Sequence, residues 1–224
     1  MVSKRRSSKR TISALGLALV ASLALGAVGV ASASAATQHW YVGGTKLAEG
    51  TPTSVTMKGT TSFSLFFTYG GGVFEFKCTS QNSEGTIENP TGGSAGTDSK
   101  GPFKLSGCTR VRPLGSKGCQ IQNGEVNIST SGVATEFESK SAVTFGPQEG
   151  SLFFSIGFEG SNCALPTLLV SGSLTGIANN ATSSLEFTKT SSKIYWGGNE
   201  ANPITLVGTS KLETTSGQTV TVAP

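Results

Sequence analysis

The chain has 224 residues, with seventeen basic and thirteen acidic side chains, one histidine, four cysteines and two tryptophans. Five of the bases lie in the first ten residues with no acid beside them, so beyond residue 36 twelve bases face thirteen acids and the net charge is −1 rather than the formal +4. A near-neutral remainder gives no support to general binding to nucleic acid or to an anionic membrane, and one histidine with no Cys-x-x-Cys spacing supplies no metal-ligand set and calls for no cofactor.

At the N-terminus, MVSKRRSSKR is followed by an uncharged Ala, Leu, Val and Gly run from Ile12 to Val30 and then by ASASAA at 31 to 36. A cationic segment, an apolar segment and small residues make the secretory signal pattern, with Ala-x-Ala sites at Ala31-Ser32-Ala33 and Ala33-Ser34-Ala35. The chain therefore divides into a signal peptide, residues 1–36, and one exported domain, residues 37–224. The apolar run is also just long enough to span a bilayer, so an uncleaved anchor at the cell surface is the competing reading. Arg5-Arg6 is followed by SSKR where a twin-arginine signal wants apolar residues, which leaves the export route open. Both readings place the domain outside the cytoplasm, secreted or at the surface.

The exported part opens with QHWYVGGTKL. Gly43-Gly44 as a two-residue hairpin turn sets Val42 opposite Thr45, Tyr41 opposite Lys46 and Trp40 opposite Leu47. Trp40 then belongs to the buried face, and His39, the single histidine, to the wetter one with no acid or nucleophile assigned to it. Downstream, alternation continues: Phe74, Phe76 and Cys78 on one parity, Val126 and Ile128, then Leu152, Phe154, Ile156 and Phe158, and at the end Val220 and Val222. Side chains of successive strand residues point to opposite faces, so these are strands with one buried face. Turn signals separate them: YGGG at 69 to 72, GPQEG at 146 to 150, IANN at 177 to 180 and WGGNEANP at 196 to 203. KIYWGG repeats the opening device with Ile194 and Trp196. The fold class is all-β, an antiparallel β-sandwich, jelly roll or barrel in a single domain. Residues 88 to 102, ENPTGGSAGTDSKGP, read as an irregular surface loop. PTSVTMKGT and PITLVGTS are faintly alike, short of an internal repeat.

Four cysteines in an exported domain predict two disulfides with three connectivities. Cys78 shares parity with Phe74 and Phe76, whereas Cys108 lies opposite Phe103 and Leu105. That favours Cys78–Cys163 in the core with Cys108–Cys119 stapling a loop, ahead of Cys78–Cys108 with Cys119–Cys163.

Candidate chemistry is sparse. GGSAG at 92 to 96 matches the nucleophile-elbow spelling, but it sits in a loop of a β protein. The histidine precedes it, and Asp98 is the only aspartate, so Ser94, His39 and Asp98 make no triad in the hydrolase order. Glu136 and Glu138 in TEFESK are expected on one strand face, where two carboxyls could approach the ~5 Å of a retaining glycosidase; Lys140 extends that face and favours a solvated edge. The most unusual charge feature of the exported part is the segment 100–117, with Lys104, Arg110, Arg112 and Lys117 and no acid among them. Arg110 and Arg112, at i and i+2, could grip a carboxylate or phosphate as two forks, and these four are the candidate binding residues for an acidic wall polymer or glycan. NIS at 127 and NAT at 180 spell glycan acceptors.

The runs HWYVGGTKLAEGT, EGTIENPTGGSAGTD and PITLVGTSKLETTSGQTVTV, behind a basic, Ala-rich signal, resemble uncharacterised secreted β-rich proteins of actinobacteria. The resemblance covers most of the exported part; it implies export and a β-rich fold and assigns no activity and no site residue. The functional expectation is an exported non-enzymatic β-domain that binds a wall polymer or glycan or serves as a surface structure. A small extracellular glycoside hydrolase using a glutamate pair is the alternative. No nucleic acid and, after signal cleavage, no membrane is expected as partner.

Overall fold

The structure, a computed structural model, describes residues 37–92, 96–98, 103–113, 118–128, 130–147 and 150–224. The expected signal peptide, Ser94 and Lys117 lie outside these residues. In chain order the strands are β1 (His39–Val42), β2 (Thr45–Lys46), β3 (Thr53–Gly59), β4 (Phe63–Tyr69), β5 (Gly72–Glu88), β6 (Gly96–Asp98), β7 (Phe103–Arg112), β8 (Gln120–Ile121), β9 (Val126–Ile128), β10 (Thr130–Phe137), β11 (Lys140–Pro147), β12 (Leu152–Ile156), β13 (Phe158–Glu159), β14 (Leu168–Asn179), β15 (Ser184–Trp196), β16 (Pro203–Thr214) and β17 (Val220–Ala223).

Several of these run on from one another. β3 and β4 both pair with β5 on one side and β16 on the other, so they are two halves of one stave broken at residues 60–62. β6 with β7, β9 with β10, and β11 with β12 continue each other in the same way. Eight antiparallel staves result, each beside its sequence neighbours, and β16 returns to β3 and β4 to close the ring. Of the three architectures open to the sequence, the pairing selects a closed up-and-down barrel, which leaves its wall without an unpaired edge. The stretch 88–102 is not wholly irregular: Gly96–Asp98 pairs with both β5 and β10 and belongs to the wall.

Eight strands enclose a space that side chains can fill, and phenylalanine fills it here. Phe63 meets Phe103 edge to face at 6.0 Å and Phe187 at 5.9 Å, while Phe67 stacks on Phe74 at 5.4 Å and on Phe76 at 6.0 Å. Gly208 makes room for this packing, because a Cβ there would stand 2.6 Å from the Phe63 ring. The outer wall exposes Lys58, Lys77, Glu84, Glu186, Lys193 and Lys211. Apolar within and charged without is the pattern of a barrel in water, the reverse of one facing lipid. No helix among the described residues is long and apolar enough to cross a membrane.

Alternation is interrupted at facing positions on two neighbouring staves, β5 and β7. On β5 the buried side chains run Phe76, Cys78 and then Gln81, Ser83; on β7 they run Phe103, Leu105 and then Cys108. The inward spacing becomes three residues on both strands at Thr79 and Gly107. Gly107 has φ +63, and a Cβ on it would collide with Thr79 Oγ1, so this crossing needs a glycine. The break turns Cys108 to the inside, directly opposite Cys78, and the two form a disulfide. Cys119 pairs with Cys163. The parity-based choice of Cys78–Cys163 and Cys108–Cys119 is thereby overturned: parity carried from Phe103 across Gly107 assigns Cys108 to the wrong face.

Both ends are closed. At the end where the β14–β15 hairpin turns, called the upper end, β17, β1 and β2 form a three-stranded plug. Its hairpin has the expected register, Val42 opposite Thr45 and Tyr41 opposite Lys46, with Leu47 N–H bonded to Trp40 O. Trp40 is 1% exposed and packs into the barrel core with Val220 and Val222. Buried Asn89, just past the end of β5, accepts from Trp40 N–H and donates to the carbonyls of Trp40 and Leu47. Trp40 Nε1–H donates to Gly96 O at 3.0 Å, and Asn180 bonds both N–H and C=O of Val222. The lower end is crossed by the short ladder of β8 and β13, which places Phe158 against Phe67 and Phe76.

Candidate functional site

The basic segment is not assembled as the i, i+2 spacing implies. β7 bulges at Val111, so that Arg110 lies opposite Phe76 and Arg112 opposite Glu75, two consecutive residues of β5 that face opposite sides. The arginines therefore do not share a face, which corrects the paired-fork expectation. Arg112 Nε stands 3.4 Å from Glu75 Oε2, and Lys104 Nζ 2.7 Å from Glu125 Oε1. Arg110 donates from Nη1 to Cys119 O and from its backbone N–H to Gln120 Oε1, strapping the segment before β8 to the wall. Three of the four candidate bases thus meet acceptors of their own fold. Arg112 meets an acid on the neighbouring strand and Lys104 one just before β9, and a scan along the segment itself for intervening acids sees neither.

The glutamate pair also dissolves. Phe137 pairs with Lys140 across a two-residue turn, and Glu138 and Ser139 occupy it with φ 49 and φ 63. Positive φ at both central residues is the hairpin-matched turn, so Glu138 leaves the strand while Glu136 stays opposite Ser141. His39 lies opposite Ala223 on the plug, half-buried, with Nδ1 buried and unpartnered; Asp98 belongs to the wall opposite Thr86 and Ser131. Among the described residues no group of three His, Cys, Asp or Glu could hold a metal. Of the two glycan-acceptor spellings, Asn180 has its amide committed to Val222, while Asn127 is exposed on β9 opposite Lys104.

Two concavities among the described residues are weighed as sites. Inside the barrel beneath the plug is a cavity of about 40 Å³ lined by Trp40, Val55, Met57, Ile87, Phe145 and Leu212. That is room for a few water-sized bodies and is well below the several hundred Å³ of a drug-sized ligand. The second is a bay of about 520 Å³ on the outer wall, lined by Thr60, Thr182, Ser184, Glu186, Thr209 and Lys211, with Asn179 at its upper end.

The bay exists because the first stave breaks between β3 and β4. At the break Thr60 N–H donates to Thr209 O at 2.8 Å, and Thr209 N–H turns to Thr61 Oγ1 at 3.0 Å instead of a ladder partner. Beside it, Ser184 stands opposite Lys211 and Glu186 opposite Thr209, all on the outer face. Thr182 N–H bonds to Asn179 O in the β14–β15 turn, and its hydroxyl lies 2.8 Å from Ser184 Oγ. Lys211 Nζ is held 2.6 Å from Glu213 Oε1 while remaining exposed, and the exposed Glu186 carboxylate lies beside it. The surface offers hydroxyl groups that both donate and accept, one amide, one carboxylate and one ammonium. No protein-family model matches the chain, and no curated protein or solved structure matches it either. The two segments that are faintly alike in sequence, PTSVTMKGT and PITLVGTS, turn out to be neighbours here: Gly59 pairs with Ser210 at the edge of the bay.

Proposed function

We propose that the protein is an exported, non-catalytic β-barrel that binds a polyhydroxylated polymer, a cell-wall glycan, through the bay on its outer wall. The observation that carries this reading is the contrast between a filled interior and a hydroxyl-lined outer concavity of about 520 Å³. A barrel built to carry a small molecule keeps its lumen open; here phenylalanines and two end caps occupy it, so recognition falls to the outside. Two disulfides fit an oxidising compartment outside the cytosol, and an insoluble wall polymer is the ligand class such a compartment offers to a rigid, hydrogen-bonding surface. With Lys211 paired to Glu213 and Glu186 left exposed, the bay suits a neutral or amine-bearing glycan better than an acidic one.

The test is co-sedimentation of the purified protein with insoluble peptidoglycan, chitin and chitosan, repeated with Glu186→Ala and Thr209→Val. Binding by the native protein that falls about tenfold in the two variants, while Arg112→Ala binds normally, supports the reading; a tenfold loss corresponds to about 1.4 kcal/mol. No binding to any of the polymers, or binding that the bay variants leave intact, overturns it.

A further inference from the structure

The lower cap is held in a way that the rest of the barrel is not. β13 follows β12 by one residue, yet Phe158 lies 5.7 Å from Phe67 and 5.6 Å from Phe76, on the staves across the mouth from the one it leaves. β8 reaches over from the connection after β7 to meet it, and their ladder is only two residues long, Phe158 opposite Ile121 and Glu159 opposite Gln120. Gln122 N–H to Gly157 O and Asn123 N–H to Glu159 Oε1 extend it slightly. A ribbon of that length is not stable by itself in water. Besides the Arg110 hydrogen bonds to Cys119 and Gln120 and the packing of Phe158 and Ile121, a covalent bond, Cys119–Cys163, ties its two sides together immediately beside the ladder.

The two disulfides differ in accessibility. Cys78 is 0% and Cys108 4% exposed, facing into the packed barrel, whereas Cys119 is 8% exposed and Cys163 half-buried in a surface connection. Exchange requires a thiolate to reach one sulfur along the S–S axis, so access decides which bond a reductant meets first. Beneath the cap lie the Phe67, Phe74 and Phe76 rings in a stacked row, with Phe158 over two of them. We propose that Cys119–Cys163 is a redox latch: its reduction frees the β8–β13 cap and exposes the aromatic row beneath it to solvent, while Cys78–Cys108 keeps the barrel closed.

The reductant is of the dithiol class. One of its thiolates attacks Cys163 Sγ, breaking the S–S bond and releasing Cys119 as thiolate. Its second thiolate then displaces Cys163 from the mixed disulfide. The reductant leaves as a disulfide, and the protein gains two electrons and two protons as two thiols. The proposal is independent of the bay, which lies on the outer wall and at the other end.

Dithiothreitol titrated into the native protein without denaturant, quenched with iodoacetamide and mapped by mass spectrometry, tests the first half. Cys119 and Cys163 should be alkylated at least tenfold faster than Cys78 and Cys108. In the same samples hydrogen exchange should accelerate over residues 119–124 and 157–163 only, and anilinonaphthalene sulfonate fluorescence should rise. The Cys119→Ser/Cys163→Ser variant should bind the dye without reductant. If that variant fails to fold, the wild-type titration decides the matter alone. Alkylation of all four cysteines together, or selective reduction with unchanged exchange and dye binding, overturns the latch.

Discussion

Asn89 is the residue through which the plug is bolted to the barrel, and its removal has a computable cost. The side chain is 0% exposed; its Oδ1 accepts from Trp40 N–H at 2.8 Å, and its Nδ2 donates to Trp40 O at 3.1 Å and Leu47 O at 2.8 Å. In Asn89→Ala the Trp40 carbonyl keeps Leu47 N–H as donor, so it loses little. The Trp40 N–H, inside the plug, loses its acceptor outright, at about 1 to 3 kcal/mol for a buried orphan. The half-covered Leu47 carbonyl adds about 1 kcal/mol, giving about 2 to 4 kcal/mol, a large part of the 5 to 15 kcal/mol typical of a domain. Urea unfolding in a Trp196→Phe background, where Trp40 is the sole indole, reads both stability and the burial of that ring. Asn89→Leu separates the two components, because it refills the volume and leaves the N–H unpaired. A loss below about 0.5 kcal/mol, or full recovery in Asn89→Leu, would refute the hydrogen-bond account of the plug.

Two further substitutions probe the wall. Gly208→Ala places a methyl 2.6 Å from the ring of Phe63, which is 0% exposed, and overpacking of this kind costs about 1 to 3 kcal/mol. Calorimetry should show that loss, and Phe63→Leu added to it should recover part of the stability; an unchanged melting temperature in the single variant would show that the ring has room. The Glu75–Arg112 pair, with the Arg112 side chain 67% exposed, should give a coupling energy under about 1 kcal/mol in a double-mutant cycle. A coupling above about 2 kcal/mol would mean the pair organises the bulge rather than decorating it.

Much of the architecture is legible in the sequence because it rests on local chemistry. HWYVGGTKL spells its own hairpin: two glycines can both adopt φ > 0, and the register that follows puts Trp40 in the core, where the structure has it at 1% exposure. YGGG works the same way, with Tyr69 opposite Gly72. The choice among sandwich, jelly roll and barrel is not legible, since each produces the same alternation and they differ in which strands pair and in whether β16 meets β3 and β4. The bay was not legible either. Its lining comes from the β14–β15 turn, two strands and a break in a third, and threonine and serine on an outer strand face carry no mark of a concavity. The nearest signal was the Thr60-Thr61-Ser62 run after Gly59, where a β-strand loses its apolar member.

The misread residues share one physical cause. Counting in twos from a neighbour gives Cys108, Arg112 and Glu138 a face each, and each lies at or just past a point where the pleat is interrupted: Gly107 with φ +63, the bulge at Val111, and the turn at Glu138 and Ser139. A sheet closed into a barrel must twist and bend, and it does so by local breaks that shift side-chain parity. Gly107 and Val111 lie on the same stave as three of the four candidate bases. The same geometry that closes the ring therefore set Cys108 against Cys78 and took the two arginines off a common face. It also opened the outer wall at Thr60 and Thr209, where β3 gives way to β4. In this protein the breaks in alternation, rather than the alternation itself, decide where chemistry can be placed.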